Sequence, residues 1–270
     1  MTFLHFSDIH YNSVYDSPFM HRLTDRTGID LTAQLRLGLR HMRKNCAAPA
    51  FILLSGDLVH EGRAEEYREL RGIIEDVFPA VPLFAAPGNH DSAEYSEGWQ
   101  GEVSAPCYYT ALLPGGLRLL SLDSRGGEYG SGRIDAEQLN WLREQIREAP
   151  ETPSILMLHH TPHISGEVDF LTWQMENAFD LGDALRGGNI LGCFTGHTHM
   201  RYASDFNGIP CHTVCSVGYE INSLEDRFIL SNRTGCNLCE YTNGVLDVRR
   251  VDIPPEGGEI FVEIPYSELG

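Results

Sequence analysis

The sequence predicts an α/β fold of two packed mixed β-sheets flanked by helices, and three features predict it. Short apolar runs of strand length alternate with stretches of helical period from residue 2 to residue 195. Beyond residue 201 that alternation gives way to β-rich sequence. The length, 270 residues, suits one large domain. A single domain over 1–270 is therefore expected, with 201–270 its β-rich C-terminal part, and no internal repeat or low-complexity linker divides it.

The elements follow in order. Strands are expected at 2–7, 50–55, 81–86, 117–122, 153–159 and 190–195, each an apolar run that ends in polar or glycine residues. Residues 31–44 place Leu31, Leu35, Leu39 and Met42 on one helical face, and 64–78 do the same with Tyr67, Leu70, Ile74 and Val77. Asp135 with Gln138 three residues on reads as the capped start of a helix through Leu139, Leu142 and Ile146. A further helix is expected over 176–186. In the last part, Ile209–Ser216, Gly235–Tyr241 and Gly244–Ile253 read as strands of a β-meander, with Thr242-Asn243-Gly244 as a hairpin turn.

Composition narrows the class. The chain is 42% hydrophobic and 21% charged, ordinary for a soluble protein. No apolar run approaches the roughly 20 residues of a membrane helix, so no membrane partner is expected. No basic stretch with a small-residue cleavage site precedes the first strand. The seven cysteines are odd in number and scattered, which fits reduced thiols. A cytoplasmic location is expected on both counts. The formal net charge of −18 argues against bulk nucleic-acid binding, which needs a basic patch. It does not exclude small phosphate esters, because bound cations reverse a local field.

Five polar clusters each follow an expected strand: Asp8-Ile9-His10; Gly56-Asp57, with Gly62 further on; Gly88-Asn89-His90-Asp91; His159-His160-Thr161-Pro162; and Gly196-His197-Thr198-His199. Alone, any of them reads as a turn, a cap or a packed histidine. Together they read as a site, since strand ends of a sheet converge on one edge. Side chains one residue apart on an extended chain point the same way, which would bring Asp8 to His10 and His197 to His199. Gly56, Gly88 and Gly196 permit close backbone approach. Carboxylate, imidazole and one amide oxygen suit Mn, Fe or Zn rather than calcium or a thiolate-held zinc. A two-metal centre needs one of the aspartates as a bridge.

In order and spacing these clusters resemble the calcineurin-like metallophosphoesterases, from residue 3 to about 200. Gly62–Tyr67, Leu122-Asp123-Ser124, Gly132 with Gln138, Trp141 and Leu142, and the acidic stretch Gly166–Asn177 resemble the class III branch of cyclic-nucleotide and glycerophosphodiester phosphodiesterases. The resemblance implies a four-layer sandwich and two divalent or trivalent transition-metal ions. Asp8, His10, Asp57 and His199 would hold one ion. Asp57, Asn89, His159 and His197 would hold the other, with Asp57 bridging. His159 rather than His160 takes the ligand position. His90 would act on the substrate as the catalytic residue, with Asp91 orienting it. A water activated between the ions would attack a small-molecule phosphodiester, a cyclic nucleotide or glycerophosphodiester. A phosphomonoesterase is the alternative, then a nuclease, and last a non-catalytic scaffold of the same fold.

Other residues read as structural. Cys236 and Cys239, with Cys211 and Cys215, resemble a zinc site only superficially, because an odd offset sends Cys236 and Cys239 to opposite faces of a strand. His5, His21, His41, His60 and His212 are expected to be packing or surface residues. Tyr15, Tyr95, Trp99 and His163 sit near the motifs as possible pocket linings. The exposed edges of the β-rich end make a homo-oligomer possible.

Overall fold

Two sheets lie face to face, and the apolar period of each strand decides which layer its side chains join. The computed structural model describes residues 1–13, 18–101, 106–128, 130–162, 175–224 and 226–265. In the first sheet, β1 (Thr2–Phe6), β2 (Ile52–Ser55) and β3 (Leu83–Ala86) are parallel neighbours. Two antiparallel strands, β12 (Thr234–Thr242) and β13 (Val245–Ile253), extend it to the order β13-β12-β1-β2-β3. The second sheet has the order β4-β5-β6-β7-β9-β8, from β4 (Tyr109–Leu112), β5 (Arg118–Ser121), β6 (Ser154–Met157), β7 (Ile190–Thr195), β8 (Tyr202–Phe206) and β9 (Ile209–Thr213). Within it β5, β6, β7 and β9 run parallel.

Alternate residues of each strand face alternate layers. Phe3, Phe51, Leu53 and Ala86 of the first sheet meet Leu119, Ile155, Met157 and Phe194 of the second in the central core. Leu4, Phe6, Ile52 and Leu54 face the other way, against the apolar stripes of α2 (Leu31–Asn45) and α3 (Ala64–Val77). Leu120, Leu156 and Cys193 likewise face Leu139, Leu142 and Ile146 of α4 (Ala136–Glu148) and Leu181 of α5 (Ala178–Ala184). The four-layer α-β-β-α sandwich expected from the sequence is the observed fold. Among the described residues no helix is long and apolar enough to cross a membrane.

Local signals account for the elements. Asp30 accepts a hydrogen bond from Ala33 N and caps α2; Asp135 does the same for α4 through Gln138 N. The Gln138 side chain does not close a capping box. It pairs with the Asp123 backbone, accepting from N at 2.7 Å and donating to O at 2.9 Å. Asn243 and Gly244 both have positive φ and join directly paired Thr242 and Val245, so the expected two-residue hairpin forms. Cys236 packs on the α2 side and Cys239 in the central core, on opposite faces of β12.

The C-terminal part is not a meander. Its strands disperse: β8 and β9 complete the second sheet, β12 and β13 the first, and a third sheet has the order β10-β11-β14. That sheet comprises β10 (Glu220–Ser223), β11 (Arg227–Ser231) and β14 (Phe261–Pro265), and packs on α1 (Pro18–Thr27) through Leu23. α1, β4, β8 and this sheet have no counterpart among the expected elements.

Candidate metal centre

The parallel strands of both sheets end at one edge, where the five clusters emerge. β1 delivers Asp8 and His10, β2 delivers Asp57, β3 delivers Asn89 to Asp91, β6 delivers His159 and His160, and β7 delivers His197 and His199. The loops continue the ladder beyond the strands: Asp8 N donates to Gly56 O at 3.0 Å and His10 N to Asp57 O at 2.9 Å.

Convergence does not come from extended strands, as the alternation argument supposed. β1 stops at Phe6 and β7 at Thr195. Asp8 (φ 53°), His10 (φ 48°), Asp57 (φ 50°), His197 (φ 73°) and His199 (φ 56°) all have left-handed backbone. They make up five of the nine non-glycine residues with positive φ among the described residues. Each such residue costs of order 1 kcal/mol, so strain is concentrated in the ligand loops.

The glycines make these turns fit. A methyl group at Gly196 would fall on Ser7 Oγ and Asp8 Oδ2, one at Gly88 on Asp57, and one at Gly56 on the His159 ring. His197 N donates to both Asp8 carboxylate oxygens at 3.0 Å, and His90 N to Asp57 Oδ1 at 2.8 Å.

Among the described residues three sets of donor atoms result, two of them sharing Asp57 and the third made by His60, Glu61 and His90. Of the first two, Asp8, His10, Asp57 and His199 form one, and Asp57, His159 and His197 the other; within each, one ligating atom per residue lies within 4.8 Å of the rest. Asp57 is in both sets. Asn89 lines a cavity together with Asp57, His90, His197 and His199 but is exposed, whereas the histidines and aspartates of the two sets that share Asp57 are buried.

Tautomers follow from the hydrogen bonds. A carbonyl can only accept, so His159 Nδ1–H donates to Ser55 O (2.8 Å) and His199 Nδ1–H to Tyr219 O (2.9 Å). Neutral rings so fixed aim Nε2 lone pairs inward. His159 Nε2 lies 3.2 Å from Asp57 Oδ2; His199 Nε2 lies 3.5 Å from Asp8 Oδ1 and 3.0 Å from His10 Nε2. Acceptors turned toward acceptors fit a cation. His160 is in none of the donor sets: its ring packs on His197 at 4.4 Å and its Nδ1 lies 2.7 Å from Ser124 Oγ.

Charge states divide the ligands: His10, His197 and His199 stay neutral, whereas Asp8 and His159 hold protons that a cation must displace. Burial holds His10 and His197 well below the usual imidazole range and His199 at about 4. Burial, with the Asp57 carboxylate beside it, raises Asp8 to about 7. Burial also pushes Asp57 up, but the imidazoles of His159, His90 and His10 override it and hold this carboxyl well below its ordinary value. Burial pushes His159 down, and the Asp57 and Asp8 carboxylates override that, raising it to about 9.

A pH dependence of loading follows. Below about pH 7 Asp8 holds a proton, and below about pH 9 so does His159. A cation must displace both, so metal affinity is expected to rise from pH 6 to pH 9. Calorimetric titration with Mn in buffers of different ionisation enthalpy should register the released protons. Loading that is independent of pH and of buffer would remove Asp8 and His159 from the ligand set.

Asp91 is placed differently from its expected role. Its carboxylate accepts from the backbone N–H groups of Leu58 and Val59, both at 3.1 Å, and of Gly88 at 2.8 Å. It staples the Asp57 loop to the His90 loop rather than facing the His90 ring. Residues of the Gly62–Tyr67 motif do similar work: Glu66 accepts from Ser13 and Arg63 N, and the Tyr67 hydroxyl accepts from Ser92 N. Tyr95 and Trp99 are core residues; Tyr15, His163 and most of the stretch 166–177 lie outside the described residues.

Two residues escaped the sequence reading. His60 Nδ1 lies 3.2 Å from His10 Nδ1, and its ring stacks on His90 at 4.5 Å. If His10 holds a cation through Nε2, its Nδ1–H donates to His60, and His60 carries its own proton on Nε2. Arg125 forks onto the Asp123 carboxylate and donates to Asp91 O at 3.1 Å, joining the second sheet to the His90 loop. The one sequence signal for His60 was its position three residues past Asp57; Arg125 offered none.

Residues 1–201 match the family described as calcineurin-like phosphoesterase. A probable cyclic nucleotide phosphodiesterase of Rhodococcus erythropolis is 27% identical over 248 residues, spanning 87% of this chain and 78% of that protein. A cAMP/cGMP dual specificity phosphodiesterase of Mycobacterium tuberculosis is 32% identical over 240 residues, spanning 83% of this chain and 73% of that protein. A dimetal phosphatase from Danio rerio shares the fold, with a TM-score of 0.60 at 16% identity over 85% of this chain and 95% of its own.

Proposed function

This chain belongs to the calcineurin-like phosphoesterase family as a metal-dependent phosphodiesterase, and from that premise we propose that it works with two metal ions on small phosphodiesters, cyclic nucleotides or glycerophosphodiesters. The observation that carries the two-metal reading is the membership of Asp57 in two donor sets. Asp8, His10, Asp57 and His199 would hold one ion. Asp57, Asn89, His159 and His197 would hold the other. Mn, Fe or Zn suits these ligands. Bound there, the ions would supply charge that polarises phosphoryl oxygens and lowers the pKa of a water.

The chain's own groups do the rest. His90 is half-buried and lines the cavity beside Asp57 and Asn89. Its ring is edge-on to His10 at 5.1 Å and stacked on His60. From there it can donate a proton to the oxygen that departs. Its backbone N–H donates to Asp57 Oδ1, and the bonds from Gly88 N to the Asp91 carboxylate and from Arg125 to Asp91 O brace the loop on either side of it. Burial keeps His60 at about 4, so near neutrality it is an uncharged partner that orients His10.

The test is a substrate pair with metal analysis. Protein loaded with Mn should cleave bis(p-nitrophenyl) phosphate with a higher kcat/KM than p-nitrophenyl phosphate, and chelation should abolish both activities. A clear preference for the monoester would select the phosphomonoesterase reading. Protein that takes up no Mn, Fe or Zn would be a scaffold of this fold.

A further inference from the structure

We propose that the three-stranded sheet β10-β11-β14 is a specificity wall that selects substrates by the apolar surface of the ester group and reads none of that group's polar edges. The inference rests on the phosphoesterase reading of the metal centre. A cavity of about 350 Å³ opens directly over Asp57, Asn89, His90, His197 and His199. His60, Glu61, Gly130 and Tyr219 complete its polar part, and Ile221, Phe228, Leu230 and Ile264 form its apolar part.

Register explains why that part is apolar. Phe228 and Leu230 share one face of β11, two residues apart. Phe228 pairs directly with Ile264 on β14, and Leu230 with Ile221 on β10, so all four side chains stand together. The opposite face of the same sheet is mixed: Arg227 is bonded to Glu263 and Ser231 to Glu220, with Ile229 and exposed Phe261 among them. The apolar surface that Phe228, Leu230, Ile221 and Ile264 form together must cover something. Leu23, Ile29 and Leu31 cover part of its inner face. The rest faces the metal centre, and there Phe228 stays only half-buried.

The wall is tied to the chemistry. Tyr219, immediately before β10, holds His199 through its carbonyl, and its ring packs on His199 at 4.5 Å and His10 at 5.8 Å. A phosphoryl group on the metal side therefore leaves its organic group against Phe228, Leu230, Ile221 and Ile264. None of those four side chains has a donor or acceptor, so recognition there is burial alone. Such a surface ranks ligands by apolar area and shape, and discriminates weakly against an added polar group.

The experiment uses three non-hydrolysable ligands that carry one organic group each: methyl-, butyl- and phenylphosphonate. Their binding to the Mn-loaded protein is measured by calorimetry at several temperatures. Affinity should rise from methyl to butyl to phenyl, by about tenfold to a hundredfold over the series, with an increasingly negative heat-capacity change. Phe228→Ala should flatten the gradient and leave methylphosphonate binding unchanged. Phe228→Leu should keep the butyl gain and lose part of the phenyl gain. Equal affinity for the three ligands in the unsubstituted protein would overturn the wall and leave the phosphoesterase reading standing. A metal-loaded protein that bound none of them would overturn both.

Discussion

Asp57→Ala is expected to empty both metal positions at once, whereas His10→Ala should weaken mainly one. Asp57 is in two donor sets, and its Oδ2 lies 3.5 Å from His10 Nε2 and 3.2 Å from His159 Nε2. Without its charge, two cations held nearby would repel each other with less compensation. Losing an outer hydrogen-bonding partner of a ligand typically costs about 10- to 100-fold. Loss of the shared carboxylate should cost more than that in kcat/KM. Asp57 Oδ1 also accepts from His90 N, so Asp57→Asn is the control: it keeps an acceptor for that hydrogen bond and removes the charge. Thermal unfolding gives a readout independent of turnover. A cation that binds only the folded chain raises Tm, so chelation should lower Tm in the unsubstituted protein and leave it unmoved in Asp57→Ala. Metal content in Asp57→Ala equal to that of the unsubstituted protein would show that the bridge lies elsewhere.

Asp57 could be singled out from sequence because it lies in a short cluster directly after an apolar run. The same was true of the other clusters at strand ends. Strand–helix alternation from Thr2 to Thr195 is a local signal, and so is the Asn243-Gly244 turn; apart from α1 and β4, the elements they predict are the ones observed. The alternation argument gave the right convergence for the wrong reason, because left-handed backbone is invisible to a period-two count when the residue is Asp or His rather than glycine. The third sheet was hidden for a different reason. Glu220–Ser223 and Arg227–Ser231 are short strands of one hairpin, and the third strand, Phe261–Pro265, comes 30 residues later, so only tertiary contact joins it to them. His60 and Arg125 take their roles from loops remote in sequence: His60 acts on His10, and Arg125 on the backbone of Asp91. The role sketched for Asp91 overlooked the backbone. Three N–H groups in two ligand loops needed an acceptor, and a buried carboxylate supplies it.

His90→Ala should keep its metals and its fold and lose rate in a way that depends on the leaving group. The ring is a half-buried lining of the cavity, outside both donor sets that contain Asp57, while the backbone N–H that anchors the loop to Asp57 survives the substitution. A p-nitrophenolate departs readily without a proton. An alkoxide such as a ribose or glycerol oxygen is far more basic and needs protonation as its bond to phosphorus breaks. General acid catalysis is typically worth about 100- to 10,000-fold, so alkyl diesters should suffer within that range and nitrophenyl diesters less. The neighbouring rings sharpen the test. His60 stacks on His90 at 4.5 Å and is itself held by His10, so it cannot swing across to replace the lost donor without releasing a ligand. Little rescue is therefore expected from His60. The measurement is kcat on an alkyl and a nitrophenyl diester for both proteins, with metal content determined in parallel. Equal losses on the two substrates would assign His90 to binding the phosphoryl group instead of the leaving oxygen. Loss of an ion would make it a ligand, through the third set of donors that His60, Glu61 and His90 form along the cavity lining.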